Sequence, residues 1–271
     1  MSATVLLERP QSPPALRSAL GPPAVVFDRV SFAFDEHVVL SDVSFSIQAG
    51  AMRIVLGASG SGKSVLLKLI LGLLQPDAGS VYVNGQDLGR MREPDLMRVR
   101  ADIGMLFQEG ALFDSLTVED NIAFPLQERT RMSATQIRTV VAETLKSVGL
   151  EGVEGKLPDQ LSGGMRKRVA LARALAMHPE IVLFDEPTTG LDPILVQAIH
   201  RLIADTQARF HYTAVIVSHE IPEIFDIATR VAMLHNGTIL EVETAARFPQ
   251  SSNPAVQQFI AGRLEGPLTP T

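Results

Sequence analysis

Apolar and polar positions alternate along the chain from Val25 onward. Val25 to Phe27, Val30 to Phe34 and Val43 to Ile47 are short runs of period two separated by polar turns, and they predict a small antiparallel sheet. Ile54 to Leu56 reads as a buried strand that runs into a glycine-rich turn, with an apolar helix starting near Lys63. Ser80 to Gly85 is a further strand closing on an Asn-Gly turn, and Ile103 to Phe107 is a buried strand ending at Gln108. The period then changes. From Val118 to Leu150 it is helical, with Val140, Val141, Leu145 and Val148 on one face. A polar loop over Gly152 to Gln160 precedes a helix that opens at Leu161 to Gly164 and runs to about Met177, where Pro179 stops it. Ile181 to Phe184 and Thr213 to Val217 are β-branched runs suited to the centre of a parallel sheet. Val231 to Leu234 and Thr238 to Glu241 form a last hairpin around Asn236 and Gly237. Residues 1–23, with Pro10, Pro13, Pro14, Pro22 and Pro23, show no sustained period and are expected to be a disordered tail.

Composition bounds what these elements build. With 271 residues, 46% of them apolar, the chain has room for one large α/β domain or two smaller ones. The longest apolar run, Val65 to Leu74, is interrupted by Lys68 and falls short of the roughly 20 residues a bilayer span needs. A formal charge of −6 argues against nucleic acid as the main partner. The absence of cysteine excludes a disulfide framework and thiolate metal sites and suits a reducing compartment. Glu8 arrives before any basic residue and the run Val5 to Leu7 is short, so no signal peptide is expected. These features together predict a soluble cytoplasmic protein.

The glycine-rich turn carries the first chemistry. Gly57, Ala58, Ser59, Gly60, Ser61, Gly62, Lys63 and Ser64 fit G-x-x-x-x-G-K-S/T, a phosphate-binding loop between strand and helix. The glycines let consecutive N–H groups point into one concavity, and the helix adds its unpaired N-terminal amides. Lys63 can reach the β- and γ-phosphates of a nucleotide, and the Ser64 hydroxyl can ligate Mg²⁺. A second part lies at Asp185 and Glu186, two carboxylates at the end of an apolar strand. Asp185 is placed to hold Mg²⁺ through its water shell, and Glu186 to deprotonate a water attacking the γ-phosphate.

Leu161-Ser-Gly-Gly-Met165, upstream of Asp185, resembles the signature motif of ABC-transporter ATPases. Ser162 can cap a helix whose Gly163 and Gly164 leave the N-terminal amides bare, a second anion site. The resemblance covers roughly residues 25–243. It implies an α/β fold: a P-loop NTPase (RecA-like) parallel-sheet core with an N-terminal antiparallel β subdomain and an inserted α-helical subdomain, about 109–175. An ABC ATPase domain over 24–243 would then be followed by a C-terminal tail over 244–271 that contacts a partner or second protomer. It further implies ATP and Mg²⁺ as cofactors, and a head-to-tail dimer with two ATP molecules sandwiched between chains. Phe34 falls where the family stacks an aromatic on adenine, with a core aromatic as its rival reading. Gln108 matches the glutamine that senses Mg²⁺ and the attacking water. Asp192 matches an aspartate at the subunit boundary, with helix capping as its rival. His219 matches a histidine contacting the γ-phosphate. Two positions depart from the common pattern: Val65 replaces a hydroxyl residue next to the α-phosphate, and Met165 replaces a Gln of the signature.

The partner-facing stretch, Gln108 to Leu126, places Ala111, Leu112 and Phe113 beside Asp114 and Asp120, an apolar groove with acidic edges for a permease helix. This stretch, the signature, and the tail over Asn253 to Gly262 with Gly266 and Pro267 are similar to the ATPases of the Mla and Mce lipid-transport systems. That resemblance implies a transmembrane permease, an MCE-domain lipid-binding subunit, possible STAS-domain association and a peripheral place on the cytoplasmic face of the membrane. An ABC importer or exporter of another solute, such as an amino acid or ion, shares every catalytic residue and stands as the alternative. A DNA- or ribosome-acting relative would carry a long inserted coiled coil or two cassettes with a basic linker, and this chain has neither.

Overall fold

The computed structural model describes residues 22–221 and 223–268, so the proline-rich stretch up to residue 21 lies outside the described residues. Pro23, which the sequence assigned to the tail, opens β1 (Pro23–Phe34). There follow β2 (His37–Gln48), β3 (Met52–Leu56), α1 (Lys63–Ile70), β4 (Ala78–Val83), β5 (Gln86–Asp87), α2 (Glu93–Ala101) and β6 (Ile103–Leu106). Three helices, α3 (Val118–Arg129), α4 (Ala134–Ser147) and α5 (Gly163–Leu175), fill the interval before β7 (Ile181–Asp185). The chain closes with α6 (Pro193–Phe210), β8 (Thr213–Ser218), β9 (Arg230–His235), β10 (Thr238–Thr244) and α7 (Pro254–Ala261).

Two sheets form. One is antiparallel, in the order β2-β1-β4-β5, and the other runs β10-β9-β3-β8-β7-β6. In the second sheet β3 pairs parallel to both β8 and β9, β8 to β7, and β7 to β6. Period-two side-chain direction divides its residues between two cores. Ile54, Leu56, Val182, Phe184, Ala214 and Ile216 face the cluster built with α3 to α6. Val55, Ile181, Leu183, Val215 and Val217 face α1 and the antiparallel sheet. Burial on both faces explains why these strands read as continuous apolar runs. Parallel pairing also brings the C-terminal ends of β3, β6, β7 and β8 to one edge, where the segments beginning at Gly57, Phe107, Glu186 and His219 emerge side by side.

Several local expectations change. The first two predicted strands are one, because Arg29 adopts φ 51° and the ladder shifts register between Phe27 and Val30, a bulge that bends the strand without ending it. The helical stretch from Val118 divides at residues 130–133. Thr130 Oγ1 donates back to Leu126 O at 2.7 Å, and Ser133 with Gln136 forms a reciprocal capping box that starts α4. Helices α2 and α6 have no counterpart among the predicted elements. The α2 stretch is too polar for a clear period, whereas Asp192 and Pro193 are ordinary N-cap and first-turn residues that open α6. The Asn-Gly turns appear as predicted, with Asn84, Gly85, Asn236 and Gly237 all at positive φ.

Strand β6 and the signature-bearing helix α5 touch at Gly104. A Cβ there would stand 2.6 Å from the backbone oxygen of Ala174. Gly104→Ala is therefore expected to cost about 1–3 kcal/mol by forcing strand and helix apart, read as a lower urea midpoint with an unchanged m-value.

Candidate nucleotide site

The loop from β3 to α1 is shaped by backbone conformations that side chains resist. Gly60 and Gly62 have φ of 77° and 99°. At Gly57 the limit is space: an added Cβ would lie 2.5 Å from Leu234 O. The strand leading in is wholly buried and fixes where the loop begins.

Lys63, the first residue of α1, is buried, and its ammonium is held from three sides. It donates to Gly57 O at 2.8 Å and Ala58 O at 3.0 Å, and Nζ lies 3.2 Å from Glu186 Oε1. The other Glu186 oxygen is 2.8 Å from His219 Nδ1 and also accepts from Thr189 Oγ1 at 3.4 Å. A nitrogen thus faces each oxygen of this buried carboxylate, the arrangement that offsets the cost of removing it from water. Glu186 has φ 48°, the left-handed region, which costs a non-glycine residue about 1–3 kcal/mol. Its N–H donates to Val217 O at 3.1 Å, tying the strained residue to β8.

Ser64 donates its hydroxyl proton to Asp185 Oδ1 at 2.9 Å. Burial pushes the Asp185 carboxyl above its ordinary pKa range and Glu186 adds to that, while the Ser64 hydrogen bond, Lys63 and Lys68 pull the other way. A hydroxyl and a carboxylate at this separation form a hard-oxygen pair of the kind Mg²⁺ prefers. No cluster of three His, Cys, Asp or Glu side chains able to hold a metal occurs among the described residues. A cation here would complete its shell with water and nucleotide oxygens.

A cleft of 370 Å³ opens over this centre, lined by Phe34, Val39, Ser59, Gly60, Gly62 to Val65, Gln108, Glu186 and His219. Phe34 is half-exposed and edge-on to Phe32, which is buried, so the two aromatics divide as surface and core. Val39 on β2 is a cleft residue that the sequence did not single out; an aliphatic in a β-strand carries no local sign of facing a ligand. The charged interior resembles a phosphate site, and the half-exposed aromatic offers a face for a base.

The remaining predicted residues lie elsewhere. Ser162, Gly163, Gly164 and Asp192 do not line the cleft. Ser162 is exposed and accepts from Met165 N at 3.3 Å, capping α5. A Cβ on Gly164 would sit 3.4 Å from Leu195, so this glycine allows α5 to approach α6. Asp192 accepts from the N–H groups of Ile194 and Leu195 at 3.0 and 3.1 Å, the capping arrangement foreseen as its rival role. Phe113 is a surface residue, not core: it is 44% exposed, packs against Phe124 at 4.9 Å and lies under the Arg173 guanidinium. Its backbone is pinned by buried Asn121, which accepts from Phe113 N and donates to the oxygens of Phe113, Leu116 and Thr117.

Comparison with known proteins agrees with this geometry. Residues 40–189 match the family model described as ABC transporter. The intermembrane phospholipid transport system ATP-binding protein MlaF of Haemophilus influenzae is 38% identical over 239 residues, covering 88% of this chain and 90% of that protein. The probable ribonucleotide transport ATP-binding protein mkl of Mycobacterium leprae is 41% identical over 236 residues, 87% of this chain and 68% of the relative. Among solved structures, the dimeric post-hydrolysis state of the ATP-binding cassette MJ0796 bound to ADP and Pi superposes with a TM-score of 0.74 at 33% identity, covering 82% of this chain and 98% of that one. With a family model matching more than half its length and a P-loop core of the same fold, this chain belongs to the ABC transporter family as an ATP-hydrolysing cassette.

Proposed function

We propose that this chain is the ATPase subunit that drives lipid transport through a permease complex of the Mla and Mce kind. The observation that carries the reading is the 38% identity to the phospholipid-transport ATP-binding protein over 90% of that protein's length. The similarly close relative named for ribonucleotide transport keeps a second cargo in view. Both readings share one motor and differ only in the partner.

In this reading the P-loop backbone and Lys63 hold the β- and γ-phosphates, and Phe34 supports the base. Mg²⁺, held by Ser64 and Asp185 with Gln108 nearby, would neutralise charge on the phosphate oxygens. Glu186 takes a proton from the attacking water, and His219 orients its carboxylate through the 2.8 Å contact. The Lys63–Glu186 contact has to loosen as phosphates arrive, since one ammonium cannot face both fully. Ser162, Gly163, Gly164 and Asp192 lie outside their own cleft, which supports their serving the nucleotide of a second copy in a head-to-tail dimer. The half-exposed Phe113 and Phe124, which pack together, with Asp114 next in the chain to Phe113, supply an apolar patch with an acidic neighbour for a permease helix. No described helix is long and apolar enough to cross a membrane. In this reading the permease provides the passage, and this subunit sits peripherally on its cytoplasmic face. Helix α7 packs on its own chain through Val256, while Leu264 beyond it is exposed and free to meet a second protomer.

Three outcomes test the reading. Glu186→Gln should lower kcat by at least roughly a hundredfold while ATP still binds; sustained hydrolysis would remove Glu186 as the base. Asp185→Asn should raise the melting temperature of the nucleotide-free protein in EDTA, because it deletes a carboxylate that burial disfavours, yet abolish the added stabilisation from Mg²⁺ with ATP. A lower melting temperature in EDTA would contradict the account of Asp185. Purification of the full chain from native membranes in mild detergent should bring down a multispanning permease and an MCE-domain protein. A permease with a solute-binding protein and no MCE subunit would overturn the lipid assignment and leave the motor intact.

A further inference from the structure

Lys167 and Arg173 are cations on the signature helix that the ATPase account leaves unused, and both reach the same loop. Lys167, one turn into α5, is 7% exposed and donates from Nζ to the backbone oxygen of Gln108. Arg173 donates to Gly110 O at 2.9 Å and Ala111 O at 2.8 Å. Gly110 and Ala111 both have positive φ, a turn whose carbonyls have left the sheet ladder and need donors from elsewhere. Burial lowers the pKa of Lys167, opposed by Glu109 and Glu220. These two carboxylates come from different loops. Glu109 follows Gln108, and Glu220 follows His219, donates its N–H to Ser218 Oγ at 3.0 Å and accepts from the Thr188 hydroxyl. The geometric contact of the Lys167 ammonium is with the loop of Gln108, and the charges of Glu109 and Glu220 favour its protonated form.

We infer that Lys167 is a positioning residue: it sets the main chain at Gln108 from the signature helix, so that movement of the Ser162 end is felt at Gln108. A lysine suits this place. Its long apolar stem crosses the buried interval, and the desolvated amine makes a strong charge-assisted bond to a carbonyl. Removing it leaves the Gln108 carbonyl without this donor, and the side chain of Gln108 in the cleft loses its fixed base. The inference rests on the reading that Gln108 acts on the bound nucleotide.

The test is steady-state ATP hydrolysis by the purified full chain carrying Lys167→Met, Lys167→Arg, Gln108→Ala and the double change Lys167→Met with Gln108→Ala. Lys167→Met is expected to lower kcat roughly tenfold or more with KM for ATP little changed, because misplacement affects the reacting geometry and not the phosphate cradle. Lys167→Arg should recover most of the rate. The double variant should be no slower than Gln108→Ala alone, since both changes act through one side chain. Multiplying losses in the double variant, failure of arginine to recover the rate, or a wild-type kcat in Lys167→Met would each overturn the inference. If Lys167→Met does not fold, Lys167→Gln carries the same comparison, because its amide reaches less far and bears no charge. Wild-type turnover in Gln108→Ala is a different result: it removes the role of Gln108 and with it the premise.

Discussion

The site depends on the parallel register of β3, β8, β7 and β6. Leu56 stands opposite Ser218, Asp185 opposite Val217 and Leu106 opposite Phe184. Because all four strands point the same way, residues more than a hundred positions apart leave the sheet at one edge. Two separate cores press on the faces of this sheet, so a one-residue slip of any strand would turn its apolar set to the wrong side. The geometry of the cleft inherits its precision from that penalty.

On this frame the charged groups are held in opposition. Lys63, Glu186 and His219 form a chain of contacts of 3.2 and 2.8 Å, while Asp185 is raised by its own burial and checked by the Ser64 hydroxyl. Backbone strain at Glu186 is part of the same arrangement. The residue leaves β7 in a conformation that costs about 1–3 kcal/mol, and the bond to Val217 keeps it there. A centre of this kind is less stable than a neutral core of equal size would be, and burial of the surrounding strands supplies the difference. Helix α5 joins two places, with the exposed Ser162 capping its N-terminus and the buried Lys167 bonded to the Gln108 carbonyl.

Legibility varied with the locality of the signal. The P-loop, the Asp185–Glu186 strand end, the Asn-Gly turns and the cap at Ser162 were all readable, because each depends on residues within a few positions of one another. The break between α3 and α4 was present as a Ser-x-x-Gln box but was overridden by the apolar period running through it. The bulge at Arg29 carried no usable signal, because arginine at positive φ is chosen by the pairing of β1 with two neighbours. Val39 and Lys167 were invisible as site-supporting residues. Each meets atoms brought to it by other elements, and a lone Val or Lys has no spacing that announces such a role.

Sequence alone thus determined which loop has the phosphate-binding pattern, which carboxylates stand at the strand end, and that the fold is an α/β sheet of buried parallel strands. Those properties follow from residue type and short-range periodicity. Tertiary structure decided the rest. It pairs Lys63 with Glu186 and Ser64 with Asp185, caps α6 with Asp192, turns Phe113 to the surface and buries Lys167 against the Gln108 carbonyl. These contacts join residues far apart in the chain, and only closure of the sheet between its two cores sets the distances among them.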